Sequence, residues 1–366
     1  GHNRFETLRI QIERLMGIGS LPRALSVAQV LLDKCVQGGE NVYAGADYDI
    51  AEAHMLLGRV LRAGEAAEDA LKSIDEALRR FQLLADRGDS DTTVKMVAAS
   101  LAKRGECLFD LGRLKEAAAS YEGSIRKAEE VKSERQIALG KGQLGMVRLS
   151  LGQYEEALKS HNEAREIFDN LGDPNMVAVA CQQTGVVHEE IGQFEEAEQE
   201  YLQALAINVE QKNTLDEAKC LGSLASFYAK IGRSEDAVSY FQRAAGLYRD
   251  INDMANEGRV RGNLTITLII LKRYEEARRE ILRAIECFKP YGHHVEPWRA
   301  WDKLREIELA EGNQEAAARV REQAIQVYLA YRRDGVENEN PSARLCKLFE
   351  EALKKQKPEE IDKQLD

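Results

Sequence analysis

The sequence predicts an all-α solenoid of about eight helix-turn-helix repeats, finished by a C-terminal capping helix. Three observations lead there. Ala117, Ala157, Ala197, Ala237, Ala277 and Ala317 recur every 40 residues. A fixed period in this range marks stacked repeats rather than one closed core. Gly112, Gly152, Gly192, Gly232 and Gly312, with Lys272 in the same series, stand five residues before those alanines. Each unit therefore turns at the same place. The composition is helical, with 6 prolines and 6% aromatic side chains in 366 residues.

The elements follow in chain order within a single array, residues 1–366. Residues 4–36 read as a degenerate first repeat that keeps only Gly19 and Ala24. Residues 46–86 form a second repeat around Leu57-Gly58, Ala70 and Ala77. The spacing stretches here, 46 residues from Ala24 to Ala70 and 47 from Ala70 to Ala117. The excess is expected in loops at Gly38-Gly39-Glu40-Asn41 and Gly88-Asp89-Ser90-Asp91. Residues 92–331 hold six 40-residue repeats.

Residues 134–171 show the pattern of one unit. Leu139, Leu144, Val147, Leu149 and Leu151 mark the buried side of a first helix. Gly152-Gln153 breaks it, and a second helix runs from Tyr154 through Ala157, Ala164 and Phe168. Ser133 with Gln136, and Thr214 with Glu217, have capping-box spacing. Asp173-Pro174 places an N-cap before a first-turn proline.

Small residues recur at the eighth position of the first helices: Gly58, Gly105, Gly145, Gly185, then Ala225. They are expected to face the 40-residue alanines, so that the two helices of a hairpin cross closely. A second series, Ala164, Ala204, Ala244, Ala284 and Ala324, lets the next unit approach. The last unit keeps Gly312, Ala317 and Ala324 but has Arg305 at the glycine position, as a degenerate end unit would. A capping helix over 341–357 and a frayed tail over 358–366 complete the chain.

Leu144-Gly145, Gly152, Tyr154, Ala157 and Ala164, then Gly185, Gly192, Phe194, Ala197, Tyr201 and Ala204, resemble the tetratricopeptide repeat. The 40-residue unit is similar to arrays of the kinesin-light-chain type and of bacterial peptide receptors. The resemblance implies a right-handed solenoid that binds a protein or an extended peptide in its concave groove. Ala330-Tyr331-Arg332-Arg333-Asp334-Gly335, directly after the array, also resembles the end of STAND-class signalling ATPases. There the array is a C-terminal sensor.

Charge narrows the function. The chain has 51 basic and 62 acidic side chains, a net −11. Generic nucleic-acid binding needs the opposite balance. No apolar run is long enough to span a membrane. Gly1-His2 reads as the remnant of a cloning step, so the chain is expected to be a piece of something longer, without a signal peptide. Six cysteines without a CxxC pair suit core filling in a reducing cytoplasm.

Catalytic and metal motifs do not assemble. Gly140-Lys141-Gly142-Gln143-Leu144-Gly145 spells GxGxxG but lies inside a predicted helix, whereas the dinucleotide fingerprint follows a strand. His188-Glu189-Glu190 lacks a second histidine at 192, and His293-His294 has no carboxylate cluster. His54 and His161 occupy ordinary repeat positions. No serine or cysteine sits in a nucleophile motif. No catalytic residue, metal or cofactor is expected.

The groove is the candidate site. Helical phase directs positions two, five, six, nine and thirteen of each first helix inward. Position six carries Lys103, Gln143, Gln183, Ser223, Asn263 and Lys303. Position two carries Lys219, Arg259 and Arg299. Amides can donate to and accept from a peptide backbone, and cations attract acidic side chains or a terminal carboxylate. Groove asparagines do this in related arrays, and the resemblance extends that role to Gln143, Gln183 and Asn263. Met55, Phe109, Met146, Val186 and Ile266 also point inward, as seam core or as ligand contacts.

The expected function is a non-catalytic peptide-binding scaffold with groove residues Lys103, Gln143, Gln183, Lys219, Arg259, Asn263, Arg299 and Lys303. The expected partner is a protein or extended peptide, an acidic one suiting the cations, and the expected state a monomer. The alternatives are a ligand-sensing arm of a larger signalling ATPase or protease, an enzyme, and self-assembly through repeat ends.

Overall fold

The computed structural model describes residues 2–17, 20–40, 42–88, 90–289 and 298–333. Gly19, the His293-His294 pair, Cys346, the capping helix and the tail lie outside the described residues, as do Asp334 and Gly335 of the Ala330–Gly335 motif. Among the described residues the structure is all-α, with sixteen helices. They are α1 (His2–Gly17), α2 (Leu21–Gly38), α3 (Ala46–Ala63), α4 (Ala67–Asp86), α5 (Asp91–Asp110), α6 (Leu114–Glu130), α7 (Glu134–Ser150) and α8 (Tyr154–Asn170). The chain continues with α9 (Pro174–Glu190), α10 (Phe194–Glu210), α11 (Thr214–Lys230), α12 (Ser234–Asp250), α13 (Met254–Ile270), α14 (Tyr274–Phe288), α15 (Trp298–Ala310) and α16 (Gln314–Arg333). No described helix is long and apolar enough to cross a membrane.

The helices form two compact units, residues 1–204 and 205–366. Within each, consecutive helices pack in pairs, and pairs pack on their neighbours. In the first unit α5 also touches α7, and α7 touches α9. In the second, α11 touches α13 and α13 touches α15. First helices are therefore neighbours of first helices within each unit.

The alanine period is the packing seam. Ala117, Ala157, Ala197, Ala237 and Ala277 are fully buried, and Ala317 nearly so. The turns repeat as closely. Gly112, Gly152, Gly192, Gly232, Lys272 and Gly312 all have positive φ. The next amide returns to the carbonyl five residues earlier, as in Gln153 N to Arg148 O at 2.9 Å, and closes the helix end.

Three expectations change in detail. The eighth-position glycines make room for the residue four beyond each alanine, not for the alanine itself. A Cβ on Gly58, Gly105 or Gly145 would stand 2.6–2.8 Å from Ile74, Tyr121 or His161. In the last pair both partners change together, to Arg305 and the exposed Arg321, and Arg305 binds Asp302 instead. The extra residues before Ala117 lengthen helices: α4 and α5 have 20 residues each, where the regular helices have 17. The loop between them has four residues, against three between the regular pairs. The caps also differ. Ser133 makes no side-chain cap bond, and Asn213, not Thr214, caps α11 by accepting from Asp216 N. Asp173 caps α9 as expected, accepting from Met176 N at 3.2 Å.

Candidate functional site

Each first helix keeps one stripe out of the core, at positions two, six, nine and thirteen, because that phase alone faces neither its hairpin partner nor the neighbouring hairpin. In the first unit the stripe reads Ala99, Lys103, Glu106, Asp110 on α5, then Leu139, Gln143, Met146, Ser150 on α7, then Val179, Gln183, Val186, Glu190 on α9. In the second unit it reads Lys219, Ser223, Ser226, Lys230 on α11, Arg259, Asn263, Ile266, Ile270 on α13, and Arg299, Lys303, Glu306, Ala310 on α15.

The α5 stripe is charged but self-neutralised. Arg62 of α3 holds Glu106 and Asp110, each at 2.6 Å, and Lys103 holds Glu106 at 2.7 Å. These residues line a cleft of about 350 Å³. Its charges already have partners, so it offers little to an added anion.

The next two first helices are different. Leu139 and Val179 occupy the same repeat position and are 40% and 38% exposed. Between α7, α8 and α9 lies a cavity of about 60 Å³. Gln143, Met146, Met176 and Gln183 line it, and His161, Ala164 and Phe168 of α8 reach it from below. Neither glutamine side chain has a hydrogen-bond partner among the described residues. His161 is fully buried, and neither ring nitrogen has a partner. Burial pushes its pKa down to about 4.

In the second unit Lys219 is bound to Asp216 of its own helix at 2.7 Å, and Lys303 to Glu306 at 2.9 Å. Arg299 is exposed on α15. Arg259 is also exposed and donates to Asn256 Oδ1 at 3.0 Å. No carboxylate lies within ion-pair distance of it among the described residues. Asn263 sits one turn further along the same face, also exposed. Arg259 and Asn263 thus leave a guanidinium and an amide facing solvent together.

Of the eight residues singled out in the sequence, the structure brings Gln143 and Gln183 to one cavity and Arg259 and Asn263 to one helix face. Lys103, Lys219 and Lys303 are each engaged by a carboxylate of their own helix. Met55 is core, 5% exposed, and Phe109 packs against the same cluster, whereas Met146, Val186 and Ile266 lie on the stripe. Sequence reasoning missed Gly142, His161 and Met176. Position 161 aligns with Tyr121, Tyr201 and Phe241, and that register marks it as core.

GxGxxG lies within α7, as expected. Among the described residues no three His, Cys, Asp or Glu side chains cluster as a metal site would require. His188 Nδ1 lies 2.7 Å from Gln193 Oε1.

Residues 96–168, 136–208 and 183–250 match the tetratricopeptide-repeat family model. Residues 96–250 therefore carry tetratricopeptide repeats. Among solved structures it is similar to BtubC of P. vanneervenii, at 21% identity and a TM-score of 0.54 over 63% of this chain and 92% of that one. It is also similar to a signal-transduction ATPase with a tetratricopeptide-repeat sensor from Pyrococcus horikoshii, at 15% identity and a TM-score of 0.60. That match covers 93% of this chain but only 52% of the ATPase, so the chain spans about half of that protein. A third likeness is the Rap conjugation regulator of plasmid pLS20 in complex with the Phr* peptide, at 17% identity and a TM-score of 0.53 over 80% and 76%. At these identities the likeness is one of fold. A search of curated proteins found no significant match.

Proposed function

We propose that the chain is a non-catalytic scaffold that binds a protein or extended peptide along the exposed stripes of its first helices. One observation carries this reading. The packing positions repeat almost unchanged from unit to unit, while the stripe positions vary and several hold polar groups that the fold does not use. Arg259 and Asn263 are the clearest case. A guanidinium without a carboxylate suits an acidic side chain or a peptide C-terminus, and an exposed amide suits backbone groups. The peptide bound by the Rap regulator supports the same use of this fold. The cytoplasm is the proposed location, since none of the described cysteines is in a disulfide.

The test is a short-peptide array probed with wild-type chain, Arg259→Glu and Asn263→Ala. Acidic or C-terminal peptides should bind wild type and be lost from Arg259→Glu. Identical binding by all three would remove this face from the function. The likeness to a sensor-bearing ATPase favours a second reading, that the array is the sensing arm of a larger signalling protein. The flanking gene sequence decides that directly.

A further inference from the structure

The cavity between α7, α8 and α9 has the character of a side-chain pocket, and two of its lining residues open it. The first is Gly142, at a repeat position where α11 and α13 also carry glycine. Gly140 and Gly145 are glycines for a packing reason, since a Cβ on either would stand 2.8 Å or 2.6 Å from Ile125 or His161. A Cβ on Gly142 would meet nothing within 4 Å. A glycine in a helix interior weakens the helix, and packing gives no reason for this one. Its effect is open space in the cavity wall. The second is His161. Its imidazole stands where Tyr121, Tyr201 and Phe241 place six-membered rings, so the floor is lower here.

We infer that this cavity receives one aliphatic side chain of a bound extended peptide, with Gln143 and Gln183 holding the peptide backbone on either side. The inference rests on the peptide-binding reading above and names one of its subsites. The wall chemistry selects the occupant. Leu139, Met146, Met176 and Val179 give an apolar lining, and no Asp, Glu, Lys or Arg is part of it. A charged side chain would lose its hydration there without gaining a counter-ion. The size selects further. The cavity is small, about 60 Å³, which favours a compact aliphatic side chain such as valine or leucine over a larger ring. The two glutamine amides, unspent within the protein, can each donate to and accept from the main chain of such a segment. Thioether side chains on both walls adapt to the shape of the guest.

The experiment uses the full chain and short synthetic peptides in which each position in turn is fixed as Val, Leu, Trp, Asp or Lys. Binding is read by fluorescence anisotropy, with the ε-methyl NMR signals of Met146 and Met176 as a local reporter. Wild type should favour Val or Leu over Asp at one position by about tenfold, and the two methionine signals should move. Gly142→Leu fills the cavity from the wall and His161→Phe from the floor. Each should abolish that preference and leave the dependence on Arg259 intact, with melting by circular dichroism confirming the fold. Peptide binding that depends on Arg259 but shows no aliphatic preference, or a preference that survives both filled variants, overturns the pocket alone. Absence of any peptide binding by wild type overturns the pocket together with the scaffold reading.

Discussion

The imidazole of His161 packs directly against Gly145. A Cβ built on Gly145 would stand 2.6 Å from its Cε1 and 2.7 Å from its Nε2. This contact locks α7 to α8 and fixes the depth at which the cavity floor sits. Gly145→Ala is therefore expected to destabilise the chain by about 1–3 kcal/mol, because the added methyl would force the buried ring out of its packed position. Gly142→Ala, three residues away in the same helix, should instead raise stability by up to about 1 kcal/mol. Urea unfolding of the two variants, side by side, checks the opposite signs.

His161 also predicts a pH dependence. Its folded pKa, about 4, lies below the ordinary 6.5 because burial disfavours the imidazolium. The unfolded chain binds the proton more readily, so the neutral ring's stability is present above pH 6.5. It is lost progressively as the pH falls from 6.5 to 4. The full effect is about 3 kcal/mol. Carboxylates titrate in the lower part of this window too, so the informative quantity is the difference between wild type and His161→Phe. The variant should lose less stability between pH 7 and pH 4, and parallel curves would contradict the assignment.

Glu257 supplies a third prediction. It is 1% exposed and accepts from Arg261 at 2.9 Å and from Arg283 at 3.0 and 3.1 Å, which ties α13 to α14. Glu257→Ala should cost about 2 kcal/mol. That is less than for a fully buried pair, because Arg283 is 43% exposed and Arg261 keeps Glu280. Thermal unfolding of the variant measures it.

The fold was legible because packing repeats. A seam that must admit a helix crossing needs an alanine in every unit, and a left-handed turn favours a glycine in every unit, so both appear as rulers in one sequence. Arg305 was legible as a departure from the glycine register for the same reason. The site was less legible. Lys103, Lys219 and Lys303 looked like open cations, but the carboxylate three residues away claims each one, and only rotamers show that. Gly142 read as one more glycine of α7. Its difference from Gly140 and Gly145 lies in what faces it across the helix pair. Asn213 took the cap from Thr214 because boundaries shift by one residue without changing the pattern.

The turn series gives a fourth prediction. Lys272 has φ 58° at a position where the neighbouring units have glycine. A side chain there crowds the following carbonyl. Lys272→Gly should raise stability by about 0.5–1 kcal/mol, and Gly152→Ala should lower it by a similar amount. Equal and unchanged unfolding midpoints would show that the turn tolerates either residue.

The central claim is that the first-helix face, rather than charge in general, holds the partner. The most direct measurement is the dissociation constant of the best acidic array peptide for wild type, Arg259→Glu and Arg243→Glu. The last makes the same charge change on a second helix, where Arg243 lies 5.6 Å over the Tyr240 ring. Losing a charge-assisted bond costs about 1.5 kcal/mol or more, which is about tenfold. Arg259→Glu should weaken binding by at least about that factor, and Arg243→Glu should change it less than about twofold. Equal losses in the two variants would contradict the account.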